Sequence, residues 1–486
     1  MFNLIDLTVN PQQRKRNAKH CKEKKIVLPT YEQMKDPNKI PEKFRDELKG
    51  VGLWDLHPRN LFRITWKNQP VAKGGGFDGV NHLVLPSELT GCKAKIIALL
   101  GKFFPTGAHK VGASYSCLAP RLVSGQFNVE KEKVVWPSTG NYCRGGAYVA
   151  SLLSCESIAI LPEGMSKERF EWLKKVAGEI IATPGCESNV KEIFDKCWEL
   201  RQTRKDIQIY NQFEEFGNTL WHYEVTGEAV LELLANEHNV KGAILSSGSA
   251  GTLGMGYRLK EKFPHAKLAV AEALQCATLL NNGFGDHRIE GIGDKHVPWI
   301  HDVKNTDMVI AVDDEIPIRM LRLFNEEKGH DILKQHNVSK ELIDKLNLIG
   351  ISGLGNLVAA IKFAKYYELT EKDVVVTIFT DSTELYGSRL GELRHERGEY
   401  AERNAHRDLQ LIEDITTDGL LELNYHQNKR IHNLKYYTLV EQQQRAVSEL
   451  NAQWYDWSNY WGQLPRLAAK LDNLIKEFNA EIGAAI

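Results

Sequence analysis

The sequence predicts an α/β protein built on mostly parallel sheets, and three observations lead there. Short apolar runs alternate with amphipathic stretches over residues 86–394, the runs are bounded by Gly, Pro or Ser, and the stretches between them carry helical spacing. Strands buried on both faces read as such runs, and strand–helix alternation is the pattern of parallel βαβ units. A chain of 486 residues exceeds one simple core, so two or three packing units are expected.

In chain order, residues 1–85 come first. They are polar, with Pro, Asn and Lys scattered through them, and lead into Lys73-Gly74-Gly75-Gly76. We read an N-terminal extension with a few short elements laid over the core. The expected strands of the 86–394 core are Lys95–Leu100, Lys133–Trp136, Ser157–Leu161, Gly242–Leu245, Leu268–Ala271 and Val374–Phe379. Ser166–Ala177, Leu253–Lys262 and an apolar helix at Ala147–Leu153 are the helices read between them. Residues 395–486 form a helical C-terminal extension: Leu439, Val440, Val447, Leu450 and Trp454 fall at helical spacing. So do Leu467, Leu471, Leu474, Ile475 and Phe478, after Pro465 as a first helical position. The aromatic stretch Trp454–Trp461 is read as core or subunit interface rather than a ligand cage.

Composition excludes several function classes. Lys and Arg number 62 against 63 Asp and Glu, a formal charge of −1, which favours neither nucleic acid nor an anionic membrane as partner. No apolar run approaches the roughly 18 residues that span a bilayer. The basic stretch Arg14–Lys25 lacks the apolar segment of a secretory signal and is read as a solvated tail. The eight cysteines are scattered with no C-x-x-C spacing, which argues for reduced thiols in a cytoplasmic protein and against a metal site.

Three elements carry chemistry. Ser246–Thr252, between a strand and a helix, is a small-residue turn whose backbone N–H groups and hydroxyls suit an anion at a helix N-terminus. It lacks the lysine of a nucleotide P-loop and the glycine pattern of a dinucleotide fold, so one phosphate suits it better than a nucleotide. Pro137–Gly146 is a second such loop after a strand, fit for a carboxylate, with Asn141 adding a directional amide. Lys110 follows the turn Pro105-Thr106-Gly107 and opens an apolar segment; partly desolvated there, its amine becomes nucleophilic. A lysine for a Schiff base, a phosphate loop and a carboxylate loop converge on pyridoxal 5′-phosphate and a small amino acid.

Through these motifs the chain resembles the fold-type II (β-family) pyridoxal-phosphate enzymes, the tryptophan synthase β-like group, and among them cysteine synthase and the catalytic core of cystathionine β-synthase. The similarity runs in consistent order from Asn81-His82-Leu83-Val84-Leu85 to Arg389. Lys110 matches the lysine that forms the internal aldimine. Ser138-Thr139-Gly140-Asn141-Tyr142 matches the loop that binds the substrate carboxylate and brings an asparagine to the cofactor hydroxyl. Gln212 opens a Q-F-E-N-P-A-N-like segment and would serve the same carboxylate, and His222–Gly227 continues the pattern. Gly248-Ser249-Ala250-Gly251-Thr252 mirrors the G-T-G-G-T phosphate cup. Gly285–Gly293 and Gly350–Gly355 mirror two further Gly-containing stretches, and Thr380-Asp381-Ser382-Thr383-Glu384-Leu385-Tyr386 mirrors the segment whose serine, Ser382, would hydrogen-bond the pyridine nitrogen.

The resemblance implies two three-layer α/β subdomains, a mobile one from residues 110–215 and a larger one from the flanking segments, with the cofactor between them. It also implies a homodimer. The implied activity is that of a lyase or transferase: β-replacement or β-elimination on serine, cysteine or an O-activated serine through an aminoacrylate, with Lys110 moving the α-proton. A neutral serine hydroxyl at the ring nitrogen makes the ring a weaker electron sink than an aspartate would, which favours departure of a β-substituent. Val111-Gly112, Tyr142, Cys143 and Arg144 depart from the usual pattern. The G-N-x-x-R-G spacing at Gly140–Gly145 also resembles diaminopropionate ammonia-lyase, and Gly52-Leu53-Trp54 resembles threonine-synthase-like members. An ammonia-lyase or dehydratase, and a catalytically inactive binding protein, are therefore the alternatives. Arg144 is read as a surface cation or a group near substrate, Cys143 as a small buried residue, and His109 as packing behind the lysine.

Overall fold

The structure is a computed structural model and describes residues 2–138 and 140–484. Among the described residues, eleven strands form two sheets. They are β1 (His82–Leu85), β2 (Lys95–Leu100), β3 (Lys133–Pro137), β4 (Ser157–Pro162), β5 (Glu179–Thr183), β6 (Ile207–Ile209), β7 (Val240–Ser246), β8 (Lys267–Ala273), β9 (Met308–Val312), β10 (Val374–Phe379) and β11 (Leu420–Glu422). The larger sheet runs β1-β2-β10-β7-β8-β9-β11 and the smaller β5-β4-β3-β6. Every pairing in the smaller sheet is parallel. The larger sheet is parallel from β2 to β9, with β1 and β11 added antiparallel at its edges.

Strands buried on both faces need apolar side chains in both directions, and β2, β7, β8 and β10 supply them. Leu99, Ala243, Leu245, Val270 and Val376 face one core, which continues to Val134, Trp136, Ala159 and Leu161 of the smaller sheet. Ile96, Ala98, Ile244, Ala269 and Val375 face a second core, closed by the helix Ile351–Tyr366. A third, small cluster covers the outer face of the smaller sheet with Ile193, Cys197 and Leu200. The result is the expected pair of α/β units with a helical C-terminal region.

Several elements differ from expectation. β5, β6 and β11 are short and half-exposed, so they lack the continuous apolar run that marks a central strand. β11 lies within the C-terminal region read as helical, and caps the larger sheet. The helix after β3 begins at Asn141 rather than Ala147, which shortens the loop and puts Asn141 in its first turn. The helical spacing of Leu439–Trp454 spans two pieces: a π turn Tyr436–Glu441 and a helix Val447–Tyr455, parted where Gln444 takes φ 57°. Pro465 lies in the 3-10 turn Trp461–Arg466, and the last helix starts two residues later, at Leu467.

Residues near the two ends of the chain clasp the small unit. The helix Pro11–Glu23 and the last helix, Leu467–Glu481, both pack on the helix Lys110–Ser124. Asn17 Nδ2 donates to the carbonyls of Leu122 (2.9 Å) and Phe127 (2.7 Å). Asn479 accepts from Leu28 N (3.1 Å) and donates to Leu28 O (2.8 Å), while Asp472 accepts from the N–H groups of Tyr31 and Glu32. The C-terminal region also grips the large unit, where buried Lys435 donates to the carbonyls of Trp299 and His301. Opposite the clasp, the helix Lys167–Val176 crosses to the large unit: Arg169 pairs with Glu290 and donates to the Tyr386 hydroxyl (3.0 Å), and Glu168 accepts from Ser388.

Candidate active site

The C-terminal ends of parallel strands open onto a cleft between the two units, as open α/β sheets direct. Lys110 stands at the first position of its helix, preceded by a cramped turn. Thr106 (φ 67°) and Gly107 (φ 68°) are consecutive left-handed residues, and a β-carbon on Gly107 would meet the Trp54 ring at 2.9 Å. A β-branched residue in that region is strained, and strain of this kind persists where the surroundings hold it. Here Arg144 Nη2 donates to Thr106 O at 3.1 Å.

Lys110 is half-buried at the cleft, and desolvation pushes its amine down to about 8, against the smaller opposing pull of Asp294 and Glu187. Its Nζ donates to Ser249 Oγ at 2.9 Å. Ser249 Oγ also accepts from Asn218 Nδ2 at 3.0 Å, and Asn218 donates in turn to Gln212 O. Behind the lysine lies an aromatic wall: His109 stacks on Trp221 at 6.4 Å and meets His222 edge-on. Burial drives both imidazoles well below their usual range, so both are neutral.

The turn after β7 has the geometry of an anion cradle. Ala250 is left-handed (φ 64°), Thr252 Oγ1 donates back to Ser246 O, and the helix Leu253–Lys262 starts immediately after, with no acidic residue in its first turn. A β-carbon on Gly251 would overlap Asn218 at 2.0 Å, and one on Gly248 would meet Gly291 O at 2.7 Å. Only glycine fits at either position.

Lys110, Ser138, Asn141, Tyr142, Gln212 and Gly248–Thr252 line a single cleft, together with Ser246, Gly291, Asp294 and Thr380. The structure therefore brings together the sequence-predicted lysine, phosphate turn and carboxylate loop. Gly140 N donates to Ser138 Oγ, and Gln212 Nε2 donates to the same oxygen at 3.2 Å. Thr139, expected in this loop, lies outside the described residues. Tyr142 is buried against Trp136. Asn141 is engaged within the protein: its Nδ2 donates to Asp381 Oδ2 (2.6 Å) and its Oδ1 accepts from Arg144 (3.4 Å). Ser382 follows two residues after Thr380; its hydroxyl is buried and has no hydrogen-bond partner among the described residues.

Arg144 is neither a surface cation nor a cleft-lining group. It is buried over the Trp54 and Trp172 rings and holds Asn141 and Thr106 in place. Cys143 is buried with its thiol pushed up to about 12 by desolvation, which leaves it unreactive. Three residues escaped sequence reasoning. Asn218 supports both Ser249 and Gln212, Thr380 lines the cleft, and Asp294 presents an unpartnered carboxyl to it. Asn218 and Thr380 lie inside motifs read from the sequence; only the fold reveals Asp294.

These features fit pyridoxal phosphate: a cleft amine of lowered basicity, a turn that admits no β-carbon at Gly248 or Gly251, and a buried hydroxyl without a partner. Comparisons with known proteins agree. A family described as "Pyridoxal-phosphate dependent enzyme" matches residues 81–333. Cystathionine beta-synthase of Saccharomyces cerevisiae is 27% identical over 314 residues, 62% of this chain and 58% of that protein, so the chain spans little more than half of that relative. Cysteine synthase of Staphylococcus aureus is 28% identical over 256 residues, 52% of this chain and 76% of that protein. The crystal structure of a hydrogen sulfide-producing enzyme from Fusobacterium nucleatum shares the fold with a TM-score of 0.54 at 23% identity, covering 63% of this chain and 95% of that one.

Proposed function

The chain belongs to the family of pyridoxal-phosphate dependent enzymes, and within it we propose a catalyst of β-replacement on a small amino acid, with β-elimination as the same half-reaction when no second nucleophile arrives. The observation that carries this reading is the meeting of Lys110, the Gly248–Thr252 turn and the Ser138–Asn141–Gln212 wall in one cleft.

When bound, the cofactor supplies a carbonyl to join the amine and an electron-withdrawing ring to weaken bonds at Cα and Cβ. The chain's residues do the rest. The Gly248–Thr252 amides and the Ser249 and Thr252 hydroxyls would hold the phosphate at the start of the Leu253–Lys262 helix. Ser138, Asn141 and Gln212 would hold the substrate carboxylate, with Gln212 fixed through Asn218. Ser382 would meet the ring nitrogen with its free hydroxyl. Lys110, with its basicity lowered by burial, would take the α-proton and give it back. Arg144 acts through Asn141 and is a positioning residue. Similarity to cysteine synthase and cystathionine beta-synthase supports replacement over other fates of the β-carbon.

The test has two parts. Purified protein incubated with pyridoxal phosphate should gain a visible absorption band that borohydride abolishes, leaving a mass increment on Lys110. Keto-acid release from β-substituted alanines should then fall when sulfide is supplied, as product is diverted to a new thiol amino acid. A protein that stays colourless, or one whose keto-acid release ignores sulfide, contradicts the reading.

A further inference from the structure

The reaction as described leaves the carboxyl that lines the cleft without a task. Asp294 is 6% exposed, and neither carboxyl oxygen has a hydrogen-bond partner among the described residues. A buried carboxyl without partners costs on the order of 1–3 kcal/mol in desolvation, so its persistence calls for a ligand or a chemical role. The surrounding turn is constructed to present it. Gly291 (φ 103°) and Gly293 (φ 83°) are left-handed, Gly293 N donates to Ser247 O, and His287 Nε2 contacts Gly293 O at 2.9 Å. This aims Asp294 at the cleft, with Oδ2 3.7 Å from where a β-carbon on Gly248 would stand. Lys110 lies across the same cleft, and the Ser138–Gln212 wall lies on the other unit.

With the substrate carboxylate on the Ser138–Gln212 wall and Cα at Lys110, the β-substituent is left facing the large unit. We propose that Asp294 carries the proton of that substituent, giving one to the departing group and taking one from the incoming nucleophile, and that the cleft is therefore matched to β-substituents that leave as bases (hydroxyl, thiol or amine) rather than as carboxylate or phosphate anions. This rests on the β-replacement reading above and names its substrate class.

The balance is as follows. Lys110 removes the α-proton, and the Cβ–X bond breaks with both electrons going to X. X takes the Asp294 proton and leaves as HX. The nucleophile HY then gives its proton to the Asp294 carboxylate while its electron pair forms Cβ–Y, and Lys110 returns the proton to Cα. HY has replaced HX, with nothing oxidised or reduced. Burial supports the required starting state: it pushes Asp294 up to about 8, so the carboxyl holds its proton at neutral pH. When that proton is given up, the new carboxylate faces the amine of Lys110, which by then has gained the α-proton. An anionic substituent such as phosphate leaves without needing that proton, and it must be desolvated beside a carboxyl that offers it no countercharge.

The test is a series of substrates on the holoenzyme: serine, cysteine, 2,3-diaminopropionate, O-acetylserine and O-phosphoserine. Unaltered enzyme should turn over the first three, and O-phosphoserine least well. Asp294→Asn should keep the cofactor band yet lose about 100-fold in kcat/KM on serine, and under about tenfold on O-acetylserine, whose leaving group needs no proton. The ratio between the two substrates is the readout that a merely structural role would not move. Equal loss on both, or no loss on serine, overturns the proposal. Should the variant fail to hold the cofactor, the unaltered enzyme decides: rates that rise steeply with leaving-group acidity, or turnover of O-phosphoserine alone, overturn it while leaving β-replacement standing. A coloured enzyme that turns over none of the five overturns the parent reading and this one with it.

Discussion

The clasp formed by the chain's two ends and the cleft between the two units treat buried polar groups in opposite ways. In the clasp, Asn17, Asp472 and Asn479 are buried and spend their donors and acceptors on backbone groups of distant segments. At the cleft, the Asp294 carboxyl that lines it, and the Ser382 hydroxyl and His109 Nδ1 behind its lining, are equally buried and have no hydrogen-bond partner among the described residues. A satisfied buried group adds stability, whereas an unsatisfied one subtracts it unless a ligand completes it. Stability and chemistry are thus assigned to different regions, and substitutions should separate them.

The sharpest separation comes from Lys110→Ala. Turnover should fall by on the order of 10⁴-fold or more, with loss of the borohydride-sensitive band, while the thermal midpoint of the cofactor-free protein stays the same or rises, since a buried amine is removed. A variant that unfolds would place Lys110 with the clasp instead. The converse is Asn479→Ala, which strands both polar groups of Leu28; it should cost about 2–4 kcal/mol by urea denaturation and leave kcat of the folded fraction unchanged.

Two pH profiles sharpen the contrast further. Only the neutral Lys110 amine attacks an aldehyde, so the rate of cofactor uptake should climb about tenfold per pH unit and level off near the amine's lowered value of about 8. A plateau reached only above pH 10 would show a solvated lysine. His432, buried on the helix Tyr425–Lys435, behaves in the stability sense. Burial holds it down to about 3, so the folded imidazole stays neutral while the unfolded chain gains a proton below pH 6.5. The unfolded state binds more protons in that window. The contribution of His432 is therefore fully present above pH 6.5 and lost as pH falls toward 3. The stability difference between the natural protein and His432→Gln should shrink across that range, and a difference independent of pH would contradict the assignment.

The same contrast explains what the sequence disclosed. The six strands read from it are doubly buried and flanked by turn residues. β9 is equally apolar and likewise bounded by turn-forming residues, Asp307 and Asp313, so it was legible on the same grounds and was passed over. Edge strands β5, β6 and β11 carry mixed faces because solvent covers one side. In the cleft, Lys110 and Gly248–Thr252 were legible because their demands are local: a cramped turn, a missing β-carbon, a helix start. The roles of Asn218, Arg144 and Asp294 depend on what lies across the cleft or beneath it, and no local pattern encodes that. Asn17 and Asn479 were opaque for the same reason, since their partners stand more than a hundred residues away.

The clasp also has a bearing on how the molecule is made. Leu28 and Tyr31 obtain their hydrogen bonds from Asn479 and Asp472, more than 400 positions further along the chain. As the polypeptide emerges from the ribosome, the segment around Ile26–Tyr31 therefore waits, apolar and incompletely covered, until the final helix arrives. Contacts of such sequence separation form slowly. Docking of the Leu467–Glu481 helix onto this segment is therefore expected to be a late event in folding, visible as late protection of the Leu28 and Tyr31 amides in pulsed hydrogen exchange.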